Sequence, residues 1–188
     1  MSALRYTLAV IVGSTREGRF APIVANWFAR HASTHPEIDL DVIDLDVIRP
    51  YELRPGSEEF ESFAKRVEQA DAYVVITPEY NHSFPAPLKH AIDLLYAQWR
   101  AKPVGFVSYG GISGGLRAVE QLRLVFAELH ATTVRETVSF ALADKPFDEA
   151  GQLRDPAPVT EAADALLRQL TWWAVALREA RTVRPYAA

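Results

Sequence analysis

The sequence predicts an α/β protein: a three-layer, doubly wound sandwich around a five-stranded parallel sheet of order 2-1-3-4-5. Three observations predict it. Apolar, strand-like runs alternate with amphipathic helical segments along the chain, which is the pattern of repeated βαβ units. The runs Leu8–Val12, Ala72–Thr77 and Pro103–Ser108 are almost wholly apolar, and a strand apolar on both sides is covered on both sides. Five strands with helices between them fit this strand order.

The elements follow in order. Leu4–Val12 is the first strand. Pro22, tolerated in a first helical turn, opens a helix to about His31 with Val24, Trp27 and Phe28 at helical spacing. Trp27 reads as core. In Ile38–Leu45 the apolar Ile38, Leu40, Val42 and Ile43 alternate with Asp39, Asp41 and Asp44, as in an exposed or edge strand. The aspartates read as a solvated face, because alternation spreads them without convergent partners. Arg49–Gly56, with two prolines and a glycine, is a loop. Ser57 then caps a helix that carries Glu58 and Glu59 in its first turn and ends near Ala70. Phe60, Phe63, Ala64 and Val67 are its buried stripe.

Ala72–Thr77 is a central strand, followed by a breaker loop over Pro78–Pro87. Leu88–Tyr96 reads as a helix with Leu88, Ile92 and Leu95 on one face. The strand Pro103–Ser108 opens into the glycine loop Tyr109–Gly115. The helix Leu116–Leu129 turns Val119, Leu122, Val125, Phe126 and Leu129 inward. Thr132–Phe140 is rich in β-branched residues and is the last strand. Ala143–Pro158, with three prolines, reads as an irregular excursion before a long helix over Val159–Ala180 and a loose tail, Val183–Ala188.

A length of 188 residues suits one domain over 1–188. Hydrophobic residues at 49% and charged residues at 23% make an ordinary soluble globular mix. A net charge of −4 argues against a general nucleic-acid binder. The absence of cysteine removes disulfides, thiolate catalysis and Cys-based metal sites. His82 and His90 are too scattered to make a metal site, and none is expected. The N-terminal apolar run is short, lacks a small-residue cleavage site and leads straight into a glycine loop, so it reads as a buried strand rather than a signal peptide. No segment approaches the roughly 20 apolar residues of a membrane span. The expectation is a cytoplasmic protein without nucleic-acid or membrane partners.

Chemistry concentrates in three loops that follow strands 1, 3 and 4, neighbours in the predicted order. Ligands on such sheets sit beyond the carboxyl ends of the strands near the switch point. After the first strand comes Gly13-Ser14-Thr15-Arg16-Glu17-Gly18-Arg19. Free amides at a loop and helix start, two hydroxyls and two guanidinium groups suit a phosphate. A capped βα turn with solvated arginines fits the same letters. The loop lacks a P-loop ending and G-x-G-x-x-G spacing. In Thr77-Pro78-Glu79-Tyr80-Asn81-His82-Ser83, Pro78 stiffens a turn, Tyr80 offers a flat aromatic surface, and Asn81 can donate or accept at ring heteroatoms. A proline-rich connector fits equally well. Glycines 110, 111, 114 and 115 permit close backbone approach to a ligand, or simply a turn before a helix.

The chain resembles the NADPH-dependent FMN reductase family, the flavodoxin-like group that includes quinone, azo and chromate reductases. The resemblance rests on Gly13-Ser14-Thr15-Arg16, Thr77-Pro78-Glu79-Tyr80-Asn81, Pro87-Leu88-Lys89-His90-Ala91-Ile92-Asp93 and Gly114-Gly115, and it spans roughly Leu8 to Val134. It implies that Ser14 and Arg16 hold an FMN phosphate, with Arg19 and Phe20 completing that loop. It implies that Pro78, Glu79, Tyr80 and Asn81 run along the isoalloxazine ring, and that Ser108, Tyr109, Gly110 and Gly111 border its other edge. Arg19 and Ala21 stand where many members carry a small polar residue and, two positions on, Asn, so ligation would rest more on the arginines. His90 stands where Asn is frequent. No family motif covers the chain beyond about Ala143.

The implied activity is oxidoreduction: NAD(P)H as co-substrate delivers hydride to flavin N5, and electrons pass to a small-molecule acceptor such as a quinone, azo compound, metal oxyanion or free flavin. No side-chain acid or base is nominated; Tyr80 is the nearest polar neighbour expected at the ring. A flavodoxin-type electron carrier and a non-flavin nucleotide-binding module are the rival readings. Family habit also implies a homodimer or homotetramer; the sequence adds Tyr51, Leu95, Tyr96 and Trp99, in or near loops, as interface candidates, and core packing of a monomer fits each of them nearly as well.

Overall fold

The strands β1 (Tyr6–Val12), β2 (Ile38–Asp44), β3 (Ala72–Pro78), β4 (Pro103–Gly110) and β5 (Thr132–Ala141) form one parallel sheet of order β2-β1-β3-β4-β5. The computed structural model describes residues 5–187, so Leu4 of the predicted first strand and Ala188 of the predicted tail lie outside the described residues. The predicted order is the observed one. β1 pairs with β2 on one side and β3 on the other, Val10 lying opposite both Val42 and Val74. β3 and β4 are buried along their whole length, as their continuous apolar runs require.

Helices α1 (Ala21–Ala32) and α6 (Pro156–Val183) cover one face of the sheet. Helices α3 (Glu58–Gln69), α4 (Ala86–Asp93) and α5 (Leu116–Glu128) cover the other, and a single turn, α2 (Leu45–Ile48), follows β2. α6 presses closely on β4: a Cβ added at Gly105 would lie 2.7 Å from Leu166 Cδ1. No helix of the described residues is long and apolar enough to cross a membrane.

Several predicted boundaries move, each for a local reason. α3 begins where expected, with Ser57 Oγ accepting from the Phe60 amide at 3.2 Å. α4 starts two residues earlier than predicted, because Pro87 sits in the first turn, where a missing N–H costs no hydrogen bond. It stops at Asp93, and the chain turns through Ala97–Trp99. That turn buries Trp99 against Tyr73 (4.9 Å between centroids) and Phe126 (5.6 Å), with its Nε1 donating to the Ile92 carbonyl at 3.1 Å. Leu95 and Trp99 are therefore core residues rather than interface candidates, while Tyr51 and Tyr96 stay exposed. α6 begins at Pro156, so two of the three prolines of the predicted excursion belong to a helix start.

β2 is the predicted edge strand, but its aspartates are paired rather than simply solvated. Asp39 meets Arg5, Asp41 takes two bonds from Arg66 and Asp44 takes two from Arg19. Where the chain enters β4, the buried Lys102 donates from Nζ to the Val67 and Glu68 carbonyls (3.1 and 2.7 Å) and to the Tyr73 hydroxyl (3.1 Å). The ammonium thus satisfies carbonyls at the end of α3 that the helix itself cannot.

Candidate functional site

Each strand of the central trio ends in one of the three loops, and hydrogen bonds tie those loops together. The Gly13 amide donates to the Ile76 carbonyl at 2.8 Å, and a Cβ there would lie 3.0 Å from Leu88 Cδ2. A side chain there would crowd Leu88 and the Ile76 carbonyl where β1 leaves the sheet beside α4. Ser14 is fully buried, and its Oγ lies 3.1 Å from the Tyr80 hydroxyl, joining the first loop to the second. The Glu79 amide donates to the Tyr109 carbonyl at 2.9 Å, joining the second to the third.

The two arginines of the first loop have different surroundings. Arg19 lies in a two-point ion pair with Asp44 and donates to the Ser14 carbonyl at 2.8 Å. The hydrogen bond to Asp44 raises the Arg19 pKa above its ordinary value against the opposing effect of burial, with Asp46 adding to the rise. Arg16 is exposed and has no ion-pair partner among the described residues. Phe20, just before α1, packs against Tyr109 (5.8 Å) and Phe147 (5.5 Å). α1 starts with no side-chain cap and no acidic residue in its first turn, so its positive end is uncompensated, although Pro22 has no N–H and the Ile23 amide already donates to the Phe20 carbonyl at 3.1 Å.

The second loop is a two-residue hairpin turn. Tyr80 and Ser83 exchange both backbone hydrogen bonds (2.8 and 2.9 Å), and Asn81 and His82 between them have φ of 50° and 64°. Asparagine is among the few residues that accept this conformation readily. Gln121 of α5 fastens the turn, donating to the His82 carbonyl at 2.7 Å and accepting from Ser83 Oγ at 2.6 Å. The Glu79 carboxylate points to the start of α5, where it accepts from Ser113 Oγ (2.6 Å), the Arg117 amide (3.2 Å) and Arg117 Nη1 (2.8 Å). Burial alone would raise the Glu79 pKa; the bonds from Ser113 and Arg117 outweigh it and hold the carboxyl below its ordinary value. Pro78 is buried at the end of β3.

In the third loop the glycines divide by role. Gly115 has φ of +88°, and a Cβ on it would lie 2.7 Å from Ser108 Cβ; one on Gly110 would lie 2.9 Å from the Gly115 amide. These positions are fixed by close backbone contact. Gly111 is exposed and nothing lies within 4 Å of where its Cβ would go. Ser108 is buried, with its Oγ donating to the Gly114 carbonyl at 2.8 Å, so its side chain shapes the loop from beneath.

Tyr109 offers the group that best fits a polar ligand at this place. Its ring is buried, yet its hydroxyl has no hydrogen-bond partner among the described residues, and an unsatisfied buried hydroxyl is costly. Burial drives its pKa up, and neighbouring Tyr80 adds to the rise against the opposing pull of Ser14 and Arg19. An orphaned donor beside Ser14 and Tyr80, the uncapped start of α1 and the unpaired Arg16 suit a phosphate-bearing ligand such as FMN. Ser14, Arg16, Tyr80, Tyr109 and Gly111 present groups consistent with holding it. The side chains of Arg19, Glu79 and Ser108 face protein partners, and Asn81 sits at the exposed tip of its turn.

Sequence reasoning missed Asp44, Ser113, Arg117 and Gln121, which position these loops. Only the capping-like spacing of Ser113 before the helix hinted at one of them. It also missed a cavity of about 320 Å³ beside the first loop, lined by Thr15, Asp46, Arg49, Tyr51 and Pro87 among others.

Comparison with known proteins agrees with this arrangement. The model of the NADPH-dependent FMN reductase family matches residues 6–145, a span that contains all three loops. An NAD(P)H-dependent FMN reductase of Schizosaccharomyces pombe is 34% identical over 119 residues, 57% of this chain and 60% of that protein. A quinone reductase of Escherichia coli K12 is 32% identical over 178 residues, 87% of this chain and 91% of that one. Among solved structures, FerB, a flavoenzyme NAD(P)H:(acceptor) oxidoreductase from Paracoccus denitrificans, shares the fold with a TM-score of 0.70 at 21% identity, covering 89% of this chain and 97% of its own. With the matched region holding every loop that converges at the strand ends, the chain belongs to the NADPH-dependent FMN reductase family.

Proposed function

We propose that this protein is an NAD(P)H-dependent FMN oxidoreductase that passes electrons to a small-molecule acceptor, of the quinone, azo, metal-oxyanion or free-flavin class. The observation that carries this reading is the orphaned Tyr109 hydroxyl at the meeting point of the three loops, in a chain of this family. FMN, when bound, would supply the hydride and electron-transfer chemistry between NAD(P)H and the acceptor.

The chain's own residues bind and orient. Arg16 and the positive end of α1 neutralise the FMN phosphate, while Ser14 and Tyr109 offer hydroxyl hydrogen bonds to the ligand. Arg19, through Asp44, holds the first loop open. The Tyr80 hairpin, braced by Gln121, flanks one edge of the flavin ring, and the bare Gly111 leaves room at the other. Glu79 clamps the second and third loops together through Arg117 and Ser113. No side chain here is assigned proton transfer.

The test is to load purified protein with FMN and mix it with NADPH and a soluble quinone. NADPH oxidation without any protein partner supports the reading. Reduction only by a separate reductase would instead make the protein an electron carrier, and a colourless protein that takes up no FMN would remove the flavin from the account.

A further inference from the structure

At the end of α1 away from the three loops, two histidines face one carboxylate. His31 Nε2 lies 2.7 Å from Asp164 Oδ1, and His35 Nε2 lies 3.5 Å from the same oxygen. One ligand atom from each of the three side chains falls within 4.8 Å of the other two. At a rise of about 1.5 Å per residue, His31 lies roughly 15 Å along α1 from Ala21, so the cluster is separate from the proposed flavin site.

The three side chains are held in place. All are half-buried. His31 belongs to α1 and Asp164 to α6, both rigid elements. The His31 ring lies parallel to Trp27 at 6.2 Å and meets the His35 ring edge-on at 5.5 Å. His35 follows the helix, and its backbone is pinned by a bond from its amide to the Ala32 carbonyl and one from the Ile38 amide to its own carbonyl, both 3.1 Å. Its second ring nitrogen, Nδ1, lies 3.6 Å from a Glu37 carboxylate oxygen. At that distance Glu37 adds negative charge behind the ring without a hydrogen bond.

We infer that His31, His35 and Asp164 bind one divalent transition-metal ion of the zinc class, clamping α6 to α1. Two imidazoles and a carboxylate suit Zn²⁺, Ni²⁺ or Cu²⁺ rather than Ca²⁺ or Mg²⁺, which take oxygen ligands. Tetrahedral ligands at bond lengths near 2.05 Å stand about 3.4 Å apart. The two histidine–carboxylate spacings, 2.7 and 3.5 Å, bracket that value, all three ligand atoms lie within 4.8 Å of one another, and a water takes the fourth position.

The ion replaces a weak contact between two half-buried helices with coordinate bonds. Its expected consequence is added stability in proportion to how far the ion exceeds its dissociation constant. Nothing in the proposed electron transfer depends on it.

The experiment titrates chelator-treated, FMN-loaded protein with zinc chloride by calorimetry and records thermal melts at each zinc concentration. Expected are one zinc ion per chain and a melting temperature that climbs with zinc. His35→Gln and Asp164→Asn should each weaken binding at least tenfold and flatten the climb, while the flavin spectrum stays unchanged. Either variant alone suffices for the comparison if the other does not melt cooperatively. Zinc binding of equal strength in wild type and variants, or no binding at millimolar zinc, would overturn the inference.

Discussion

Arg19 and Asp44 form a two-point ion pair, with Nη1 2.6 Å from Oδ1 and Nη2 2.8 Å from Oδ2. It joins the loop after β1 to the end of β2, and it commits Arg19 to the scaffold. Arg16 is then the loop cation without a partner among the described residues.

Arg16→Ala and Arg19→Ala should therefore fail differently. A hydrogen bond to a charged group contributes about 1.5–3 kcal/mol, so Arg16→Ala should weaken FMN binding roughly 10- to 150-fold. Riboflavin, with the same ring and no phosphate, should lose much less. Arg19→Ala should lower thermal stability by about 1.5–3 kcal/mol and weaken both flavins alike. Fluorescence titration with both flavins, beside thermal melts, separates the two patterns; equal losses for Arg16→Ala would move the phosphate elsewhere.

Tyr109→Phe removes a buried hydroxyl that has no partner among the described residues. The flavin-free variant should be more stable than wild type by about 1 kcal/mol, yet bind FMN more weakly. Chemical unfolding of the flavin-free proteins checks the first half and titration the second. A destabilised flavin-free variant would show that the hydroxyl is already satisfied.

Glu79 predicts the acid limb of stability. Its folded pKa is lowered by Ser113 and Arg117 against burial. Its contribution is complete above the ordinary carboxylate value of about 4.3 and is lost as the pH falls through the lowered folded value. Wild type should thus lose stability more steeply than Glu79→Gln on acidification, as read from urea unfolding over a pH series. Parallel curves would mean that the Arg117 pair adds nothing.

Lys102 and Tyr6 predict the alkaline limb. Burial, with help from Arg181, pushes Lys102 down to about 8, against the pull of Asp71 and Glu68. Between there and the ordinary lysine value of about 10.4 the unfolded chain binds more protons, so stability rises with pH. Burial raises Tyr6 to about 12 against the Thr171 hydrogen bond. From about 10 upward the folded state keeps that proton longer, so stability falls. The profile should peak near pH 10, and Lys102→Met should remove the rise while leaving the fall.

Much of this was legible in the sequence, because the central strands are apolar on both sides and each ends in a loop of distinctive letters. β3 and β4 announce themselves in this way, and their adjacency follows from the fold class. What escaped is long-range pairing. Nothing near Asp39, Asp41 or Asp44 reveals that Arg5, Arg66 and Arg19 will meet them. Asp164 stands 133 positions from His31, so the histidine pair could not declare its third partner. Trp99 read equally as interface or core because the helix before it was read too long; the early stop at Asp93 swings it inward. Asn81 was read for its hydrogen-bonding amide, whereas its backbone torsion already accounts for an asparagine there.

The open space over Gly111 separates architecture from selectivity. Its neighbours Gly110, Gly114 and Gly115 are locked by contacts that any side chain would break, but at Gly111 a methyl group would meet nothing. The rim of the proposed site thus has one place where an aperture can be narrowed by degrees, from alanine to serine to valine, without disturbing the sheet beneath. Acceptor size can therefore be probed at this one position of the rim while the scaffold is kept.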